Sequence, residues 1–298
     1  MSSQCGGRYA HTKHALYQPI AVCAALAQSE ANDATPDPTQ SESRFSFTIG
    51  VDYTSQYFFR GIVQEDNGFI IQPYTELGFS LIDHDDWAVD LFAGTWSSIH
   101  SETSTAAANA TLSSYYELDL YAGISVGVDA WSFGAQYIAY TSPSSAFSTV
   151  HEIDFSIAYD DSESPLLGEL SLSPYAAIAI EVGDNAADGG DQGAYLELGI
   201  APSYAFDDQS ALKDLTLTFP VTVGLNLGDY YEFNGGDDTF GFVDIGIEAS
   251  FPIDLGEGTG DIEAYVGVHS LFMSDDLSTV NSNDDTELII TAGVSLSF

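Results

Sequence analysis

The residues of this chain that could do chemistry are carboxylates placed on one face of apolar-alternating segments. Asp52, Glu76, Asp90, Glu117, Asp119, Glu152, Asp154, Glu169, Glu181, Glu197, Asp244, Glu248, Glu263 and Glu287 each fall opposite the aliphatic side chains of their own segment. Carboxylates gathered on one face repel one another unless water or cations stand between them. The chemistry expected of such a surface is the concentration of cations in a hydrated space. The competing expectation is a filled interior, with carboxyls protonated or paired with tyrosine and serine hydroxyls. Two basic groups join this set. His269 is expected to line the same space near Glu263 and Tyr265. Arg60 keeps the inward parity of Asp52 and Thr54 if the first segment runs on, where it would bridge carboxylates or form a constriction. Otherwise it is an exposed loop arginine.

Covalent catalysis fits the sequence less well. A hydrolytic pair on one strand face needs His and Ser two positions apart. His269 is followed two residues on by Leu271, and His151 by Ile153, so neither qualifies. The stretch GDNAADGGDQG (183–193) fails as an EF-hand, because Ala186 and Tyr195 would occupy ligand positions when Gly189 takes the glycine position. P-loop, dinucleotide and zinc signatures do not occur. The sequence therefore predicts no enzyme, no cofactor and no dedicated metal centre, with loose divalent-cation binding by acidic loops.

The elements that must position the carboxylates are long strands. Alternation recurs over approximately 44–55, 69–82, 87–97, 114–128, 131–141, 149–160, 168–182, 193–206, 214–227, 239–253, 260–273 and 286–298. These about twelve segments have the roughly 9–11 residues, or a little more, that a tilted membrane strand requires. The clearest runs from Leu215 to Leu227, with Leu217, Val221 and Val223 on one face and Thr218, Thr222 and Gly224 on the other. Strands of 11–15 residues are long for a soluble two-sheet sandwich, where about 5–6 is usual. Connections 83–86, 129–130, 161–167, 207–213 and 254–259 are short; 56–68, 98–113, 142–148, 183–192, 228–238 and 274–285 are mostly longer and rich in Asp, Asn, Gly and Ser. Tyr57, Trp87, Trp96, Tyr115, Tyr116, Trp131, Tyr140, Tyr230 and Tyr231 lie near segment ends, where interfacial girdles sit. The fold class expected is all-β, a transmembrane antiparallel up-and-down barrel spanning 44–298.

Composition sets the remaining bounds. With 5 Lys plus Arg against 45 Asp plus Glu, the formal charge is −40, which makes nucleic acid an unsuitable partner. Aromatics at 13% and hydrophobics at 45% argue against a disordered acidic chain. Residues 1–27 read as a secretory signal: Arg8 and Lys13 are followed by an apolar stretch and an Ala25-Leu26-Ala27 cleavage site. Cys5 and Cys23 both lie within it; Cys23 as a lipid-attachment site is the rival, with Val22 where that signal wants a small residue. Residues 28–43 read as a polar, disordered linker.

Two resemblances follow. The final strand TELIITAGVSLSF resembles the closing strand of bacterial outer-membrane barrels, with Thr291, Gly293, Leu296 and Phe298 at the positions their assembly machinery recognises. The run GVDYTSQYFFRGIVQEDNG (50–68) resembles an uncharacterised bacterial outer-membrane family with a D-Y…R-G hallmark. Asp52-Tyr53 and Phe59-Arg60-Gly61 carry that match, at wider spacing. These resemblances imply export to the outer membrane of a Gram-negative-type bacterium, with outer-membrane lipids and the barrel-assembly machinery as partners. Generally the chain is similar to porin-like barrels. The function expected is a passive channel for small cationic or neutral solutes. The alternative is a structural or adhesive barrel whose acidic loops bind divalent cations or a surface partner.

Overall fold

The computed structural model describes residues 43–298, except 85, 103–111, 164–169, 207–211, 213, 234–237 and 257. The signal segment, the linker up to residue 42 and Glu169 lie outside the described residues.

The strands in chain order are β1 (Phe45–Thr54), β2 (Tyr57–Phe59), β3 (Ile62–Glu65), β4 (Ile70–His84), β5 (Trp87–His100), β6 (Tyr115–Val128), β7 (Trp131–Thr141) and β8 (Val150–Tyr159). They continue as β9 (Tyr175–Val182), β10 (Ala194–Ile200), β11 (Ser203–Ala205), β12 (Thr216–Thr218), β13 (Val221–Gly228), β14 (Phe240–Ile253), β15 (Asp261–Met273) and β16 (Thr286–Ser297). One short helix, α1 (Asp275–Val280), precedes β16. Apart from β2 and β3, which form their own two-stranded sheet, every strand joins one antiparallel sheet that closes on itself. β10 with β11, and β12 with β13, are single wall strands interrupted at Pro202 and Pro220, so the barrel has twelve strands.

The interruptions have a simple cause. Proline has no N–H to give to a ladder, although its carbonyl still accepts. Phe219 N donates to Pro202 O at 2.8 Å and Gly246 N to Pro220 O at 2.9 Å, which keeps the ladder continuous across both breaks. Closure comes from β1 against β16, with Thr48 opposite Ser297 and Thr54 opposite Thr291. Phe298 extends this seam through its N–H to Phe47 O at 3.0 Å and its carbonyl from Phe47 N at 3.2 Å. A closed sheet leaves no strand edge unsatisfied, which is what a lipid-embedded sheet requires.

Alternation has sorted the residues in the reverse of a soluble core. Ile49, Val51, Leu120, Ile124, Ile245, Val266 and Ile290 are exposed on the outer face, while Asp52, Asp119, Glu152, Asp244 and Thr291 are buried inside. Each ionised group on the outside would be costly in a bilayer, so this arrangement is the stable one there. Together, the closed wall, apolar outer face and polar interior define an outer-membrane protein of a Gram-negative-type bacterium. Both described termini lie at the end with the two-residue turns, which is the periplasmic end of such barrels. Trp131 and Tyr159, 4.8 Å between ring centres, and Phe45 and Phe79, 4.9 Å apart, form part of the girdle there.

Several expectations need correction. Most of the supposed girdle is not a girdle: Tyr57, Trp96, Tyr116, Tyr140, Tyr230 and Tyr231 are buried within the barrel. Trp96 and Tyr140 share the inward parity of their strands, and Tyr116 sits where an irregularity in β5–β6 pairing breaks the alternation. The connection 161–167 is longer than expected, since β8 ends at Tyr159 and β9 begins at Tyr175. The connection 56–68 is no plain surface loop. It holds the β2–β3 hairpin, whose Tyr57, Phe58 and Phe59 are buried.

Candidate functional site

That hairpin closes the extracellular end of the lumen. Its strands are joined by the two residues Arg60-Gly61, with φ of 48° and 84°. Two positive φ values in succession are the backbone of the tight hairpin turn favoured by strand twist, and glycine supplies the second without steric cost. The tip is held inside. A Cβ on Gly61 would lie 2.7 Å from Leu277 of α1 and 3.0 Å from Phe242 of β14. Ser274 caps α1, accepting from Leu277 N at 3.2 Å, and so fixes Leu277 over the tip. Asn281 then ties β3 and the turn, accepting from Val63 N at 2.9 Å and donating to Gly61 O at 2.7 Å.

Arg60, at 2% exposure, makes the central contact. Its Nη1 and Nη2 donate to the two oxygens of Glu152 at 2.6 and 2.8 Å, a paired fork geometry. Nη1 also donates to the Tyr230 hydroxyl at 2.6 Å, and the guanidinium carbon lies 4.5 Å from the centre of the Tyr195 ring. Tyr231 returns a hydrogen bond to Arg60 O at 2.8 Å. The structure thus places Arg60 in the lumen against one wall carboxylate. It arrives there by a chain reversal after β1, not by β1 running on.

Within the described residues, the expected carboxylates face inward, ten of them buried, Glu152 included: Asp52, Asp90, Glu117, Asp119, Glu152, Asp154, Glu181, Glu197, Asp244 and Glu248. Tyr57 donates to Glu117 at 2.9 Å, Tyr140 to Glu152 at 2.7 Å, and Tyr195 and Tyr175 to the two oxygens of Glu197 at 2.8 and 2.9 Å. Gln136 donates to Asp154 at 2.8 Å, while Glu181 accepts from the backbone of Ala187 and Gly193 at 2.6 and 2.8 Å. Glu76, half-buried, accepts from Tyr121 at 3.1 Å, and Glu287 from Gln56 at 3.0 Å. Glu263 is half-buried on the inward parity of Tyr265. Asp119 is fully buried between β5 and β7, opposite Trp96 and Tyr140.

His269 is in the lumen, but the expected neighbours are corrected. Glu263 and Tyr265 lie further down the same strand. The imidazole instead spans two carboxylates of adjacent β14, with Nδ1 2.8 Å from Asp244 and Nε2 3.1 Å from Glu248. Alternation of β14 puts Asp244 and Glu248 on one face, and antiparallel pairing brings His269 opposite Gly246 between them. Of the residues resembling an assembly signal, Thr291 and Gly293 face the lumen, and Phe298 is exposed at the periplasmic end. Gly293 has no room for a Cβ, because Asp52 and Tyr265 close over it from the neighbouring strands.

The aromatic socket around the hairpin was missed by sequence reasoning. Tyr230 and Tyr231 come from the connection after β13, and only their adjacency and proximity to a strand end signalled anything.

A family model described as "Bacterial protein of unknown function (Gcw_chp)" matches residues 38–151. No curated protein matches the chain. Among solved structures, an outer-membrane channel from Pseudomonas putida F1 is similar at 9% identity, with 88% of this chain and 99% of that chain covered and a TM-score of 0.49. The NanC porin is similar at 13% identity, covering 84% and 98%, with a TM-score of 0.43. Outer membrane phospholipase A from Escherichia coli is similar at 13% identity, covering 89% and 94%, with a TM-score of 0.39. Such values leave the twelve-stranded closure to rest on the strand pairing of this chain itself.

Proposed function

We propose that the protein is a passive outer-membrane channel for small cationic or neutral solutes, with the acidic lumen as its selectivity element. The observation that carries this reading is an imbalance. Ten buried carboxylates on the barrel strands stand against Arg60, His269 and His100 as the buried basic side chains among the described residues. Tyrosine and amide donors hydrogen-bond several of these carboxyl groups, and the field of those that are ionised favours cations. In this reading His269 acts electrostatically, as a bridge between Asp244 and Glu248, and the protein performs no covalent chemistry.

The test is the reversal potential of purified protein in a planar bilayer under a potassium chloride gradient. The expected result is preference for potassium over chloride. That preference should weaken as salt rises, because the Debye length falls from about 10 Å at 0.1 M to about 3 Å at 1 M. Chloride preference would overturn the cation selectivity. The filled extracellular end of the lumen favours a second reading, a structural or adhesive barrel. A folded barrel that stays silent after the hairpin is released would establish that reading instead.

A further inference from the structure

We propose that the β2–β3 hairpin is the gate of this channel, closed here and latched by Arg60 on Glu152. The proposal rests on the channel reading above and adds how that channel opens. Three observations carry it. First, β2 and β3 pair with each other and with no strand of the wall, so the hairpin can leave without breaking a barrel ladder. Second, an isolated two-stranded hairpin is marginally stable in water, so its docked state depends on what holds its tip. Third, what holds the tip includes a charged latch in a sealed socket, Arg60 on Glu152 with the Tyr230 hydroxyl. Buried ion pairs are strongly destabilised when one partner is removed, because the other is left as an uncompensated charge. An element outside the wall's pairing and anchored this way has two states, docked and released, with a population set by the latch. Phe58 shares one buried apolar cluster with Phe242 and Leu271 of the wall and Leu277 of α1, which also holds the docked state.

The sequence provides an unusually clean probe of release. After position 43, the only Lys and Arg residues are Arg44, Arg60 and Lys213. Trypsin can cut after Arg60 only when the hairpin is out of its socket, since Arg60 is 2% exposed when docked. When opening is fast relative to cleavage, the cutting rate reports the open population.

The experiment measures, for the same detergent-purified full-length barrels, trypsin cleavage at Arg60–Gly61 by mass spectrometry and open probability in a planar bilayer. The variants are wild type, Glu152→Gln and Phe58→Ser. Heat-modifiable gel mobility reports that each wall is folded, and Phe58→Ser loosens the hairpin without touching either charge. Wild type should resist cleavage at Arg60 and open rarely. Glu152→Gln should raise cleavage there about a hundredfold, with open probability rising in parallel, and Phe58→Ser should move both in the same direction. Full conductance by wild type with Arg60 protected would overturn the gate while leaving the channel standing. So would cleavage that rises while conductance stays constant. Silence in every variant, with Arg60 fully cut, would overturn the channel reading and the gate with it.

Discussion

The two ends of the lumen are built from different residues. At the extracellular end the inward side chains are large: Trp96, Tyr140, Tyr195, Phe242, Leu271 and Ile289, packed against Tyr57, Phe58 and Phe59 of the hairpin. Toward the periplasm the inward positions are mostly small, as at Thr48, Gly134, Ser132, Ser156, Ser295 and Ser297, and these six are half-buried rather than sealed. Both ends hang from the same wall with the same alternation. Side-chain volume, not strand geometry, therefore decides where this barrel is filled. A filled end behaves like the core of a globular protein and is sensitive to cavities. An end lined by small polar groups contributes little packing and tolerates change.

The largest effect should follow from emptying the filled end. Phe242 is fully buried against Phe58, Leu277 and the hairpin tip. Phe242→Ala should cost about 3–5 kcal/mol through lost burial and the cavity left behind. Urea unfolding in detergent micelles, followed by tryptophan fluorescence, would read it. A loss no larger than that of Ser132→Ala would remove the distinction between the two ends.

Next in size is a test of the wall that both ends share. Leu217 and Val221 lie on the outer parity and Thr218 and Thr222 on the inner, the sides fixed by the pairing of Thr218 with buried Glu248. Leu217→Arg and Val221→Arg should each cost about 2–4 kcal/mol near the bilayer midplane. Thr222→Arg should be tolerated, since the Tyr175 hydroxyl that contacts Thr222 at 3.2 Å also contacts Glu197 at 2.9 Å, which brings a carboxylate within reach. Equal losses in lipid vesicles for both faces would contradict the parity.

Much of this was legible beforehand, and the boundary is physical. Alternation over strands such as β6 and β14 specifies which carboxylates turn inward, because a one-residue slip would put them all in lipid. The closing β1–β16 seam follows from an even strand count. What alternation cannot encode is where the chain goes once a strand ends. Arg60 was an inward residue by extrapolating β1, yet β1 stops at Thr54 and the chain folds back into the barrel. Tyr57, Tyr230 and Tyr231 lie in such stretches, so they read as interfacial aromatics while serving as packing inside. The partners of His269 depended on cross-strand register, and position along the strand alone suggested Glu263 instead.

A smaller effect isolates the hairpin tip. Gly61 combines a φ of 84° with close approach to Leu277 and Phe242. Gly61→Ala should cost about 1–3 kcal/mol of hairpin docking, from backbone strain and contact together. Amide hydrogen exchange confined to residues 57–65 would show it, with the wall strands unchanged. Loss of protection throughout β14 and β15 would mean that the hairpin and the wall form one cooperative unit.

The smallest expected effect on stability is at the open end, and there the readout changes. Ser132 and Ser156 face the lumen from paired strands β7 and β8, two positions apart in register, because Ser132 lies opposite Ala158 and Gly134 opposite Ser156. Neither is sealed, so a larger side chain at either position has room to extend into the lumen and displaces water there. Ser156→Trp should therefore shift unfolding by no more than about 0.5 kcal/mol, the range of substitutions away from packed sites. In the hairpin-released Glu152→Gln background the same change should lower single-channel conductance, because the narrowest section would then lie at the periplasmic end. Ser156→Ala, matched for position but not for bulk, should leave conductance as it was. A Ser156→Trp barrel that unfolds several kcal/mol more easily would show the periplasmic end to be packed after all, and the contrast between the two ends would fall.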